Sequence, residues 1–222
     1  MTSEPLGRSY GDSCGVARAL DIVGERWALL VVRELLLGPK RFTDLYAGLA
    51  GVSQNVLSHR LRELERSGVV ARQRLAPPAR VWTYALTERG TALEPVLIAL
   101  GRWGRDVPFA KEGALSPDAL LLALRTTFSP ELADRLRLTA QLRMDDDEVS
   151  ITIADGRLTI ARAPAEDPAI RIEADSATVR ELAFRRGSIA DLMAAGRLHV
   201  EGSVTHVERL FGLFAPTGMA AR

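Results

Sequence analysis

Gln54, Asn55, Ser58, His59 and Arg62 recur at i, i+1, i+4, i+5 and i+8, which places them on one face of an α-helix. Val56, Leu57, Leu61 and Leu64 form the opposite, apolar stripe. Two amides, a hydroxyl, an imidazole and a guanidinium can all hydrogen-bond base edges, and a helix of this width enters a DNA major groove. Among them no carboxylate stands before Glu63 to repel phosphate. Arg72, Arg74 and Arg80 follow on a β-hairpin, where they can reach phosphates or an adjacent minor groove. An ordinary solvated helix surface has the same composition, so this face alone leaves both readings open.

Enzyme chemistry has no comparable signature. His59, His199 and His206 are scattered, without metal-ligand spacing, and His199 in a strand reads as structural. Asp145-Asp146-Asp147-Glu148 lacks the glycine and terminal glutamate of a calcium loop and reads as a hairpin turn. There is no glycine-rich phosphate loop, no nucleophile elbow and no His/Asp pair around a serine. The expectation is a non-enzyme with no catalytic residue, metal or cofactor.

The elements that must position these residues follow from periodicity and punctuation. Val16, Ala19, Leu20 and Val23 give a first helix, interrupted by Gly24; Trp27 to Leu35 give a second, ended by Gly38-Pro39. Thr43–Leu49 is a short helix with Thr43 as its N-cap, and Ser53 caps the next, which runs to about Ser67 and closes at Gly68. Val69–Leu75 and Val81–Leu86 are strands flanking a stiff tip, Ala76–Arg80. Thr87 caps a helix through Trp103, which Pro95 kinks unless the first turn starts later. Helix, turn, capped helix and hairpin in this order make a winged helix.

Gly104–Gly113 reads as a linker, and the second half begins with a helix at Ser116-Pro117-Asp118. Strands are expected at Leu136–Met144, Val149–Ala154, Arg157–Arg162, Ala169–Glu173 and Leu198–Glu201, with helices at Ala177–Arg185, Ile189–Ala195 and Thr205–Phe214. The fold class is α+β: residues 1–104 form the winged helix, 105–113 the linker, and 114–222 an antiparallel curled sheet packed by helices.

The chain has 222 residues and a net charge of +1, but the charge is unevenly divided. Residues 1–110 carry 15 basic against 11 acidic side chains, and residues 111–222 carry 14 against 17. Within 40–80 there are eight basic and three acidic, a footprint suited to a polyanion. No apolar run is long enough to span a membrane, and Met1–Asp12 lacks the features of a secretion leader, so a cytoplasmic location without membrane contact is expected. Cys14 is the one cysteine, which excludes an intramolecular disulfide.

Residues 10–104 resemble the HxlR-type winged-helix regulators almost continuously. The resemblance is carried by Cys14 to Trp27, Leu29-Leu30, Arg33-Glu34-Leu35, Gly38 to Leu45, Gly51 to Leu64, and Tyr84-Ala85-Leu86-Thr87-Glu88-Arg89-Gly90. It implies a homodimer joined by its first and last helices, with one such helix in the major groove of each half-site of a pseudo-palindromic operator in double-stranded DNA. By matching position, Ser53, Gln54, Asn55, Ser58, His59 and Arg62 are the implied DNA contacts. Some members of that family sense oxidants at the position of Cys14. The cysteine's place at a helix start, with Arg18 one turn on, permits a reactive thiolate, and a small core residue is the other reading.

From Ser116 to Ala215 the pattern is similar, more loosely, to the sterol-carrier-protein-like fold, which implies a small apolar effector held between sheet and helices. Leu120, Leu121, Leu124, Phe128, Phe184, Leu192, Met193, Leu210 and Phe214 either line such a cavity or simply fill a core. A rival whole-protein reading is a lipid or small-molecule carrier that uses the winged helix only to dimerise.

Overall fold

The structure is a computed structural model describing residues 9–75, 80–104, 115–133, 135–184 and 187–214. The hairpin tip Ala76–Ala79, the linker at 105–113 and the domain start at Ala114 lie outside the described residues. The chain divides into two compact units, Met1–Leu100 and Gly101–Arg222.

The first unit runs α1 (Gly15–Val23), α2 (Ala28–Leu35), α3 (Phe42–Gly48), α4 (Gln54–Arg66), β1 (Val70–Arg74), β2 (Trp82–Leu86) and α5 (Glu88–Thr91), and α6 (Glu94–Gly104) begins within it. Its core is built on α2, whose Ala28, Val31, Val32 and Leu35 are buried together with Leu45 of α3 and Leu57, Leu61 and Leu64 of α4. α4 has well-made ends. The Ser53 hydroxyl accepts from the Val56 amide at 3.3 Å. At the other end Gly68 takes φ +69°, so that its amide donates to Glu65 O (3.0 Å) and that of Val69 to Leu64 O (2.9 Å), satisfying carbonyls that the helix end would leave open. β1 and β2 pair antiparallel from Val70↔Leu86 to Arg74↔Trp82.

Four details depart from the sequence reading. Trp27 is not helical: it precedes α2 in the left-handed region at φ +78°, an uncommon conformation for a non-glycine residue. α3 is capped by Arg41, not Thr43, because the Asp44 carboxylate reaches back to accept from the Arg41 amide at 3.1 Å. Pro95 does not kink one long helix. The chain breaks after Thr91 and restarts at Glu94, so Pro95 sits in a first turn, where its missing N–H leaves no bond unmade. On α4, Val56 is 40% exposed and Arg60, at 7%, takes its place in the buried stripe.

Inside this unit Glu34 is fully buried, receiving Arg33 Nη2 at 2.8 Å and Lys40 Nζ at 3.1 Å. Lys40 also pairs through its backbone with Tyr84 of β2, donating at 2.9 Å and accepting at 2.8 Å. A buried carboxylate thus fastens the hairpin to α2, with its charge matched.

The second unit has α7 (Pro117–Thr127), a 3-10 turn (Pro130–Ala133), β3 (Leu138–Met144), β4 (Asp147–Ala154), β5 (Arg157–Ala161), β6 (Ile170–Ala174), α8 (Ser176–Ala183), α9 (Ile189–Ala194), β7 (Leu198–Gly202) and α10 (Val204–Gly212). The five strands form one sheet in the order β5-β4-β3-β6-β7. β3, β4 and β5 are a meander; the β4–β5 turn is Asp155-Gly156 with φ +51° and +70°, the two-residue turn whose twist matches its strands. β6 crosses over to pair parallel with β3, so the sheet is mixed where an antiparallel one was expected. The parallel pairing follows from a longer connection after β5, since adjacent strands joined by a tight turn must be antiparallel.

Residues alternate between the faces of this sheet. Leu138, Ala140, Leu142 and Met144 of β3 and Val149, Ile151 and Ile153 of β4 are buried, along with apolar residues of α7, α8 and α10. The other face is polar, with Arg143 near Glu148 (3.7 Å) and Glu173 (3.9 Å) and Arg171 near Glu201 (3.8 Å). No helix among the described residues is long and apolar enough to cross a membrane.

Candidate nucleic-acid interface

α4 presents the row that the sequence implied. Ser53, Gln54, Asn55, His59 and Arg62 are exposed and Ser58 is half-buried, while Leu57, Leu61 and Leu64 hold the helix from behind. Arg62 is anchored by its own helix, Nε donating to Ser58 O at 3.2 Å, which leaves its remaining donors for an outside acceptor. His59 is engaged at one nitrogen: Nε2 lies 3.1 Å from Glu63 Oε1. Glu63 also receives Arg60, whose Nη2 reaches Glu25 Oε2 at 3.5 Å. Arg60 therefore does not belong to the positive footprint counted over residues 40–80, being buried against carboxylates.

The hairpin contributes Arg72, Arg74 and Arg80, all exposed. Arg72 is stacked over the ring of Trp82, 4.6 Å from its centroid, and Trp82 is 53% exposed. Trp82 was absent from the sequence-based set. The signal for it is in the strand register: Trp82 faces Arg74 directly and Arg72 diagonally, within reach of a large ring. Arg74 Nε donates to Arg80 O at 3.4 Å across the hairpin.

Away from this surface, Cys14 is exposed at the N-cap of α1, and its amide donates to Asp12 Oδ1 at 2.8 Å. It is no part of the core of the chain. In the second unit Leu120, Leu121, Leu124, Leu192, Leu210 and Phe214 are buried, Phe128 and Phe184 half-buried, and Met193 is 37% exposed. The Phe214 ring lies tilted against Phe128 (6.4 Å between centroids) and edge-on to Phe211 (6.3 Å). Among the described residues no group of three or more His, Cys, Asp or Glu side chains could hold a metal. His199, read as structural, is exposed on β7.

Comparison with known proteins assigns the first unit. Residues 22–111 match the HxlR-like helix-turn-helix family model. The HTH-type transcriptional regulator YvaP of Bacillus subtilis is 42% identical over 90 residues, 40% of this chain and 82% of YvaP. The chain belongs to the HxlR-like helix-turn-helix family. Another relative of this HxlR-like chain is the HTH-type transcriptional regulator YodB of Bacillus subtilis, 39% identical over 85 residues, 38% of the chain and 76% of YodB. The solved structure of the reduced form of YodB is 33% identical, covers 46% of the chain and all of YodB, and has a TM-score of 0.39. Residues 112–219 of the HxlR-like chain match a different model, described as alkyl sulfatase C-terminal, where the sequence pattern led to a sterol-carrier-like expectation.

Proposed function

We propose that the protein is a homodimeric transcriptional regulator that binds a pseudo-palindromic operator in double-stranded DNA, with α4 as its recognition helix. The observation that carries this reading is the exposed row Gln54, Asn55, His59 and Arg62 on a helix locked from behind by three buried leucines. Such a helix presents amide and guanidinium groups to base edges without losing its fold when it does so. Arg72, Arg74 and Arg80 on the hairpin then reach the backbone or minor groove. The names of YvaP and YodB, both HTH-type transcriptional regulators, support the same role here.

Dimerisation is supported by apolar side chains that the single chain leaves in water: Val16 and Leu20 on α1, and Val96, Leu100 and Trp103 on α6, the last 73% exposed. Large apolar side chains left exposed on a helix are candidates for burial against a partner. For the second unit we propose a small apolar effector, held in the manner of a sterol carrier where Leu120, Leu121, Leu124, Phe128, Phe184, Leu192, Met193, Leu210 and Phe214 lie. The effector modulates DNA affinity only by preferring one of two dimer geometries. Cys14, being exposed, is proposed as a site of oxidant sensing.

The decisive experiment is operator binding measured against salt. A regulator that reads DNA through lysine and arginine loses affinity steeply as salt rises, because phosphate contacts release counterions. A flat salt profile, or no duplex bound at all, would falsify this reading in favour of the carrier.

A further inference from the structure

β7 is an edge of the sheet in the second unit, and no strand among the described residues lies beyond it. It pairs with β6 at every residue from Leu198 to Gly202 and has neither bulge nor proline, so its outer side is a regular row of backbone donors and acceptors. On the polar face of the sheet, charge alternates from strand to strand up to this edge. In one row Glu148 faces Arg143, Arg143 faces Glu173, and Glu173 faces His199. In the next, Arg171 faces Glu201. Arg143 lies 3.7 Å from Glu148 and 3.9 Å from Glu173, and Arg171 lies 3.8 Å from Glu201. Both rows stop at β7, one on an imidazole and the other on a carboxylate, each exposed.

We infer that the outer edge of β7 binds the β7 of a second copy of this chain, antiparallel about a two-fold axis at Val200. That register sets His199 against the partner's Glu201, and an imidazole can donate to a carboxylate in either protonation state. The row Glu148, Arg143, Glu173, His199 then continues into the partner's Glu201 and the partner's Arg171, with carboxylates and donors alternating throughout. Moving the axis to His199 or to Glu201 sets like residues against each other. A slip of one residue opposes the polar face to the buried one. At the axis half-buried Val200 meets its own copy, and Leu198 meets the small Gly202. Backbone bonds hold such a contact together and the facing side chains fix its register. β5, the other edge, carries Arg157, Thr159 and Ala161 on the polar face and offers a copy of itself no opposite charge. The contact is isologous, and it rests neither on the reading of α4 nor on the surface of α1 and α6.

The test uses the full-length protein with Cys14→Ser removing its one thiol and a single cysteine placed on β7. Diamide oxidises it, and a non-reducing gel reads the cross-link by mass. Across the axis the two Cα atoms of residue 200 stand about 4.5–5.5 Å apart, within the span of a disulfide. The two copies of residue 199 are diagonal neighbours, about 7–8 Å apart and beyond it. Val200→Cys should therefore cross-link about tenfold faster than His199→Cys, as thiols held together react ahead of thiols that must collide. His199→Cys co-expressed with Glu201→Cys should cross-link where neither does alone, because those positions face each other. Both are exposed, so this pair decides the matter if Val200→Cys does not fold. A folded Val200→Cys that stays monomeric on the gel, His199→Cys alone that cross-links as fast, or a co-expressed pair that does not cross-link overturns the pairing.

Discussion

Between residues 58 and 63 neighbouring side chains divide their work by which way they point. Arg62 faces out and is free to donate beyond the helix, whereas Arg60 faces in and is spent on Glu63 and Glu25. Arg62→Ala and Asn55→Ala should each lower operator affinity by ~1–3 kcal/mol per lost base contact and leave thermal unfolding unchanged. Gel-shift titration and a melting curve on the same samples check this. Trp82→Ala should weaken binding without changing sequence preference, because it releases Arg72 from a stacked, pre-oriented position. A competition assay showing altered base preference would refute that positioning role. The exposed polar face of α4 was legible in the sequence because polar residues at helical spacing need only a partner stripe of leucines. The burial of Arg60 and exposure of Val56 were not. Periodicity weights side chains by polarity, and cannot know that Glu25, 35 residues away, and Glu63 stand ready to neutralise an arginine.

At the scale of elements, caps and turns were the most readable part. Ser53, Gly68, Thr87, Ser116 and Asp155-Gly156 act as their residue types require. α3 and β6 were misread for the same reason, a choice made by a group outside the local window. In α3 the Asp44 carboxylate reaches back to Arg41. In β6 the partner is β3, which lies across the sheet from the strand before it in sequence. Asp175, the N-cap of α8, gives a test of cap energetics. Its carboxylate is held below the ordinary 3.8 by the Thr178 hydroxyl and amide, against a small burial cost, with Arg197 adding to the effect. A depressed folded value means that its stabilisation is present above 3.8 and is lost as pH falls through that lower value. Asp175→Ala should therefore cost about 1 kcal/mol at neutral pH, and the gap to wild type should close in acid. Asp175 is exposed, so solvent keeps the electrostatic share small. Chemical denaturation at several pH values measures it, and a pH-independent gap would contradict the capping role.

For the whole molecule, the uneven charge of the sequence falls along the same division as its two units, the first net basic and the second net acidic. A protein shortened by deleting Ala114–Arg222 should remain a dimer and bind operator with an undiminished salt slope, but lose any response to effector. Insolubility or a monomer in sedimentation would make the second unit a structural support instead.

The tether from Glu34 through Lys40 to Tyr84 has one more consequence. Gly48 lies against the Glu34 carboxylate so closely that a single added methyl would collide with it. Displacing that carboxylate loosens Lys40 and with it the strand that carries the hairpin arginines. One alteration at position 48 would therefore shift the hairpin through Glu34 and Lys40 while leaving every residue of the exposed row on α4 as it is.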